Sequence, residues 1–256
     1  MPSLWLITPV HRRVELTRLC LEERAWLAAS LAESGIDCQV VVIGDDESIE
    51  TARALGFHVL ERPNVLGRKV NDGIEYACRQ GADFVSYFGS DDWALPVYFT
   101  TLPDDRHIRI GHWRAVVSPD GSRLVTWLMP SGITPWVIPR ALLEPAGFRP
   151  AEDHRMNGVD GSIWRGIQGV KRGPQPRRFS HAERARLNDR GAVYQFVDVD
   201  ELQRVGFKIN DEITPYRRAI PRQPSRMRGD YPDPFTQLAS RYPADLCERM
   251  RAFYGR

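Results

Sequence analysis

The 256-residue chain has no apolar run near the roughly 20 residues that a bilayer-crossing helix needs, so no membrane span is expected. Its opening, "MPSLWLITPVHRR", puts the apolar stretch before the charges, the reverse of a secretory leader, and a cytoplasmic location is expected. Cysteine is scarce. Cys20, Cys38, Cys78 and Cys247 form no C-x-x-C pair, which speaks against a zinc ribbon or disulfide framework and predicts reduced, partly buried thiols. Charge of one sign is also lacking: the net charge of +2 excludes a polycation, although basic residues gather between Arg165 and Arg228. There is no internal repeat. What is present is a composition of 42% hydrophobic and 27% charged residues, which fits a globular protein of one large domain or a domain with an appendage.

The first hundred residues alternate in period. "LWLIT" (4–8), "CQVVVIG" (38–44), "FHVLE" (57–61) and "DFVSYF" (83–88) are apolar runs of strand length. Between them, residues 14–34, 48–56 and 68–81 carry helical spacing, each closing near a glycine; Ser48 is the expected N-cap of the second, and Gly73 weakens the third. Strands alternating with helices predict an α/β fold with a mostly parallel sheet covered on both faces. Such sheets bind ligands at the carboxyl ends of their strands, near a reversal of strand order.

That rule gathers three polar clusters on one rim. Strand one ends in Thr8-Pro9-Val10-His11-Arg12, strand two in Gly44-Asp45-Asp46, and strand four in Gly89-Ser90-Asp91-Asp92. Two adjacent carboxylates repel, so an acidic pair at a strand end either awaits a cation or is a solvated turn capping the next helix.

The pattern changes after Pro103. Residues 107–129 are expected to form two strands around a Pro-Asp-Gly turn at 119–121, residues 134–148 a strand or short helix, and 159–169 a helix with Asp160 near its start. A strand followed by a helix is expected over 192–207, an extended surface arm over 208–235 and one or two helices over 235–255. The expected organisation is one domain in two halves, 1–102 and 103–190, followed by 191–256 as a basic C-terminal extension.

"VVIGDDES", "RPNVLGRKVNDGIEYA", "YFGSDDWALP" and "WVIPRALLEPAGF" followed by "VDGSIWRGIQG" occur in this order over roughly residues 4–170. Together they resemble family 2 glycosyltransferases, inverting enzymes with the GT-A (Rossmann-like) nucleotide-sugar-binding fold. Two positions depart from the family pattern: Gly89 stands where the metal motif usually has a first Asp, and Val159 where the acceptor-side motif usually has a Glu.

The resemblance implies a metal-dependent inverting transferase that moves a sugar from a nucleoside-diphosphate donor, UDP-type favoured, to a hydroxyl acceptor. Asp91 and Asp92 would hold Mn²⁺ or Mg²⁺, since hard cations take carboxylate oxygens and can neutralise a diphosphate leaving group. His181 is a further candidate ligand, one that would suit Mn²⁺; an exposed loop histidine is the alternative. Asp45 and Asp46 would contact the nucleoside, an ionised carboxylate being the natural acceptor for an imide N–H. Thr8, Pro9 and Arg12 would complete the base pocket, and Ser90 would join Asp91 at the donor. Arg68, Lys69 and Asn71, at the start of a helix, would reach the diphosphate or else form a solvated basic face. Asp160 would be the general base, with Glu152 and Asp153 as rivals. Most tryptophans are expected in the core.

Two other functions compete. A nucleotidyltransferase would carry a glycine-rich loop after strand one, where this chain has "TPVHRRVEL". A nucleic-acid-binding protein on a degenerate transferase sheet would use the basic stretch 165–228. The two ideas merge in a transferase that glycosylates a modified DNA base. Otherwise the acceptor is a glycan or a protein.

Overall fold

The computed structural model describes residues 1–105, 108–117, 121–156, 159–170, 193–195 and 227–255. Its first half is the predicted alternation: β1 (Ser3–Pro9), α1 (Val14–Glu33), β2 (Asp37–Gly44), α2 (Ser48–Ala54), β3 (His58–Glu61), α3 (Leu66–Arg79) and β4 (Phe84–Tyr87). β1 pairs parallel with both β2 and β4, and β2 with β3, giving the order β3-β2-β1-β4. The order therefore reverses between β1 and β4, the position at which such sheets open a crevice.

Both faces of this half-sheet are buried, which is why its strands are continuous apolar runs rather than alternating ones. Leu4, Leu6, Val40 and Val42 point to the layer of α1 and α2. Trp5, Ile7, Val41 and Ile43 point to the layer of α3 and a later helix. Gly73 is explained by this packing: a Cβ there would fall 2.6 Å from Ile7 Cγ2 and 2.8 Å from Ile43 Cδ1, so the glycine lets α3 settle onto the sheet. Any side chain at 73 would push the helix outward and open the core.

The second half extends the same sheet with mostly antiparallel strands. After β5 (Asp92–Ala94) come β6 (Arg109–Val117), β7 (Arg123–Pro139), α4 (Arg140–Leu143), α5 (Val159–Val170), β8 (Val193–Gln195) and β9 (Met227–Pro232). β7 pairs antiparallel with β4 and β6, and the sheet continues β6-β8-β5, with β9 on β7. α5 is the later helix of the α3 layer, through Val159 and Ile163.

Three expectations change here. Ser48 is not an N-cap: the capping position is Glu47 with no side-chain bond, and the Asp46 carboxylate takes the Ser48 N–H at 2.9 Å instead. The hairpin's second strand does not stop at 129 but runs on to Pro139. Within the expected arm, 227–232 is a sheet strand rather than a surface segment. The C-terminal helices, α6 (Pro234–Ala239) and α7 (Ala244–Tyr254), pack with α1 around Trp93, Leu238, Leu246 and Met250. All four cysteines are free, three of them buried, and burial pushes their thiols up, to about 12 for Cys78, so they stay protonated and inert. Among the described residues no helix is long and apolar enough to cross a membrane.

Candidate functional site

The loops leaving β1, β2 and β4 meet on one rim, as the strand order requires, and their side chains tie them together. The chain leaves β1 through two consecutive left-handed residues, Arg12 (φ 56°) and Arg13 (φ 49°). Neither is glycine, so this bend carries strain on the order of 1–3 kcal/mol per residue and needs outside support. Asp46 supplies part of it by accepting the Arg12 backbone N–H while its other oxygen takes Ser48 N–H. The bend turns the Arg13 side chain across to the β4 loop. Its guanidinium donates to Asp91 Oδ2 at 2.9 Å and to Ser90 Oγ at 3.2 Å. The tie spans the β1/β4 reversal.

Asp91 and Asp92 turn towards each other beside Gly89. A Cβ at 89 would lie 3.0 Å from Asp91 Oδ1 and 2.7 Å from Asp92 Oδ2, so a side chain at this position would occupy the space those oxygens share. Asp92 is buried, at 3% exposure, and Asp91 is partly buried. Two converging carboxylate oxygens fit a hard divalent cation. A second group, His11, Asp45 and Asp46, places one candidate ligand atom from each within 4.8 Å of the others. It fits a cation less well, because both Asp46 oxygens already take backbone N–H groups.

Lys69 is almost completely buried, at 1% exposure. Its ammonium donates to Val10 O at 2.8 Å and reaches Asn64 Oδ1 at 3.3 Å and Asp45 Oδ1 at 3.4 Å. Burial lowers the Lys69 pKa, with Asp45 opposing. Partial burial would raise the Asp45 carboxyl, but Lys69 and a hydrogen bond from His11 outweigh it and hold the group below its usual value. Asp45 thus stays ionised and partly exposed, available as an acceptor, whereas the Lys69 charge is spent inside the rim.

The acceptor-side candidates fall in two places. Asn71 is buried and holds the 151–153 turn through three hydrogen bonds: Nδ2 to Ala151 O and Asp153 Oδ1, both 2.7 Å, and Ala151 N–H to its Oδ1 at 2.9 Å. Its place is a clamp between α3 and that turn. Asp153 also meets Arg149 at 2.9 Å; the Asn71 bond and then Arg149 outweigh burial and lower its pKa. Glu152 meets Arg155 at 2.5 Å and Arg165 at 3.1 Å, which lower its pKa in the same way. Asp160 falls in the first turn of α5. Arg68 is exposed in the first turn of α3, and the Arg12 side chain is exposed as well. Thr8 is buried at the end of β1 with no partner for its hydroxyl among the described residues; Pro9 is buried beside it. His181 and nearly all of the basic stretch 165–228 lie outside the described residues.

Three residues that hold this site escaped the sequence reading. Arg13, rather than Arg12, crosses to the acidic loop, a difference set by the left-handed bend. Glu23 and Arg24, successive residues of α1, are both fully buried and paired behind the loop. A signal for them exists: Leu16, Cys20, Glu23, Leu27 and Leu31 form one stripe at helical spacing, which places Glu23 on the apolar face.

No protein-family model matches the chain, and no curated protein matches its sequence. Solved structures are similar at low identity. A nucleotidyl transferase from Methanothermobacter thermautotroptrophicus matches at 12% identity and TM-score 0.41, over 80% of this chain and 95% of that one. S. aureus TarS matches at 13% identity and TM-score 0.44, over 80% of this chain but 38% of that one. A TarS 1–349 complex with UDP-GlcNAc matches at 13% identity and TM-score 0.42, over 77% of this chain and 59% of that one. The chain therefore spans well under two thirds of the TarS proteins it resembles.

Proposed function

We propose that the chain is a nucleotide-binding transferase and, within that class, an inverting glycosyltransferase that uses a nucleoside-diphosphate sugar and a divalent cation. The observation that carries this reading is the tie from Arg13 to Asp91 and Ser90 across the β1/β4 reversal. It brings a cation onto the Asp91 carboxylate, next to Asp92, at the place where an open α/β sheet receives its ligand.

Asp45, kept ionised by Lys69 and His11, accepts the imide N–H of a uracil-type base. The buried Thr8 hydroxyl and Pro9 lie at the end of the adjacent strand β1. Asp91 and Asp92 hold Mn²⁺ or Mg²⁺ through the oxygens that converge beside Gly89. Such an ion, when bound, neutralises charge on the departing diphosphate. Arg13 and Arg68 add positive charge for the same diphosphate; Lys69 contributes by neutralising Asp45. On the acceptor side Asp160 takes the proton of the attacking hydroxyl. Glu152 and Asp153 are weaker bases, because arginines and Asn71 stabilise their ionised forms. One displacement from the face opposite the leaving group inverts the anomeric centre and needs no enzyme nucleophile.

The test is calorimetric titration with UDP, GDP and TDP, with and without Mn²⁺. Tight, metal-dependent binding of one of them is expected, UDP first. Absence of binding for all three under both conditions would end the transferase reading and turn attention to nucleic acid and the stretch 165–228.

A further inference from the structure

Glu23 and Arg24 are fully buried beneath the rim, where they hold both ends of the acidic loop. Arg24 Nη2 donates to Gly89 O at 2.7 Å, and its guanidinium lies 3.4 Å from the centroid of the Phe88 ring. Glu23 Oε1 accepts the Ala94 backbone N–H at 3.0 Å. Between them the two side chains form an ion pair. The pair therefore brackets residues 88–94, with Ser90, Asp91 and Asp92 in the middle.

This pair is a poor device for stability. Both side chains have 0% exposure, and the Arg24 Nε finds no hydrogen-bond partner among the described residues. Burial pushes the Glu23 carboxyl up towards about 7, against the pull of Arg24 and the Ala94 N–H. Desolvating two charges consumes most of what their attraction returns, and an apolar pair of similar volume is often as stable or more so. What an apolar pair cannot do is fix two backbone groups, Gly89 O and Ala94 N–H, at opposite ends of the loop. A guanidinium can do so, because its planar fork serves Glu23 and Gly89 O together while its face covers Phe88.

We propose that Glu23 and Arg24 are positioning residues that act through the 88–94 backbone to keep the Asp91 and Asp92 oxygens converged beside Gly89. The inference rests on the reading of that loop as the donor and cation site. Loosening the bracket leaves both carboxylates present but no longer held on a common point.

The experiment compares wild type with the apolar pair E23L/R24M, and with the single variants E23Q and R24K, in the full chain. Three quantities are read: UDP affinity with Mn²⁺ by calorimetry, thermal midpoint, and amide exchange at residues 92–94. In the double variant affinity falls about tenfold to a hundredfold, the range typical when groups that orient a metal ligand are removed. Its midpoint stays near wild type, and exchange at Ala94 speeds up. R24K, which keeps the charge but not the fork, falls between. Wild-type affinity in the double variant overturns the inference, and so does a loss of affinity that merely tracks a loss of stability. If the double variant does not fold, R24K decides by the same comparison, since it keeps the charge and loses only the fork, while E23Q, which keeps the acceptor for Ala94 N–H, serves as the conservative control. If wild type binds none of UDP, GDP and TDP, the functional reading has failed; exchange at 92–94 then shows by itself whether the pair positions the loop.

Discussion

Two acidic pairs stand at the ends of the parallel strands on either side of β1, and the fold uses them differently. Asp45-Asp46 follows β2. Asp46 is absorbed by the backbone, taking the N–H groups of Arg12 and Ser48, and Asp45 balances the buried ammonium of Lys69. Asp91-Asp92 follows β4. There the partner is Arg13, a side chain from another loop, and the remaining oxygens face each other beside a residue without a Cβ. The first pair mainly builds the rim. In the second, Asp91 Oδ1 and Asp92 Oδ2 both lie close to Gly89, an arrangement that suits a cation. Identical dipeptides differ in role because one meets N–H groups fixed in a turn and the other meets an exchangeable charge.

Substitutions sharpen this contrast. The largest effect is expected for Asp91→Asn and Asp92→Asn: UDP affinity in Mn²⁺ falls by about a hundredfold, about 2.7 kcal/mol, with little change in helical content. Calorimetry beside circular dichroism reads both. Asp46→Ala is next, and its cost appears in stability. Two backbone donors lose their acceptor and the left-handed bend loses support, about 2 kcal/mol by urea denaturation. If Asp46→Ala instead abolished metal-dependent binding at unchanged stability, the assigned roles would be reversed. Asp45→Asn is expected to weaken UDP about tenfold while affinity for Mn²⁺ alone stays the same, since an amide can present its N–H₂ to the base where the carboxylate only accepts.

The smallest effect concerns pH. The Asp153 carboxyl is held below its ordinary value of 3.8 by Asn71 and Arg149, burial opposing. The folded group thus binds its proton less readily than the unfolded one. Its stabilisation is complete above the unfolded value and is lost as pH falls through the lowered folded value. Asp153→Asn should therefore make stability less sensitive to acid below about pH 4, by under about 1 kcal/mol because the group is half exposed. Parallel acid titrations of wild type and variant that superimpose would remove Asp153 from this role.

The parallel half was legible because each strand is an apolar run closed by polar residues, and each helix shows one apolar stripe. The predicted starts and stops of β1 to β4 and α1 to α3 lie within two residues of those observed. The convergence of the three strand ends followed from topology alone. The second half was less legible. Residues 107–129 and 134–148 read as separate segments, yet β7 runs from Arg123 to Pro139 without a break, and its partner β6 accommodates it with register shifts around Gly111. β5 is three residues long and looked like part of a turn. In the site, side-chain identity was visible but direction was not. Nothing in "HRR" says that two left-handed residues aim Arg13 at Asp91. Asn71 and Lys69 looked like phosphate contacts because a buried partner cannot be seen from a helix start.

The packing of Trp93 has a consequence in time. Its ring lies 5.0 Å from that of Tyr242, in the cluster that joins α1 to α6 and α7. The strands of the parallel half pair over separations of at most 80 residues, as Leu4 with Phe84, whereas the ring that backs Trp93 in the acidic loop lies 149 residues further along the chain. Closing so long a loop is slow relative to local pairing. On refolding from urea, helical signal should therefore return before metal-dependent nucleotide binding does, and stopped-flow traces of the two signals that coincide would refute this order. Competence to bind would then be among the last properties the chain acquires, although nearly every residue proposed to touch the ligand belongs to the half that forms first.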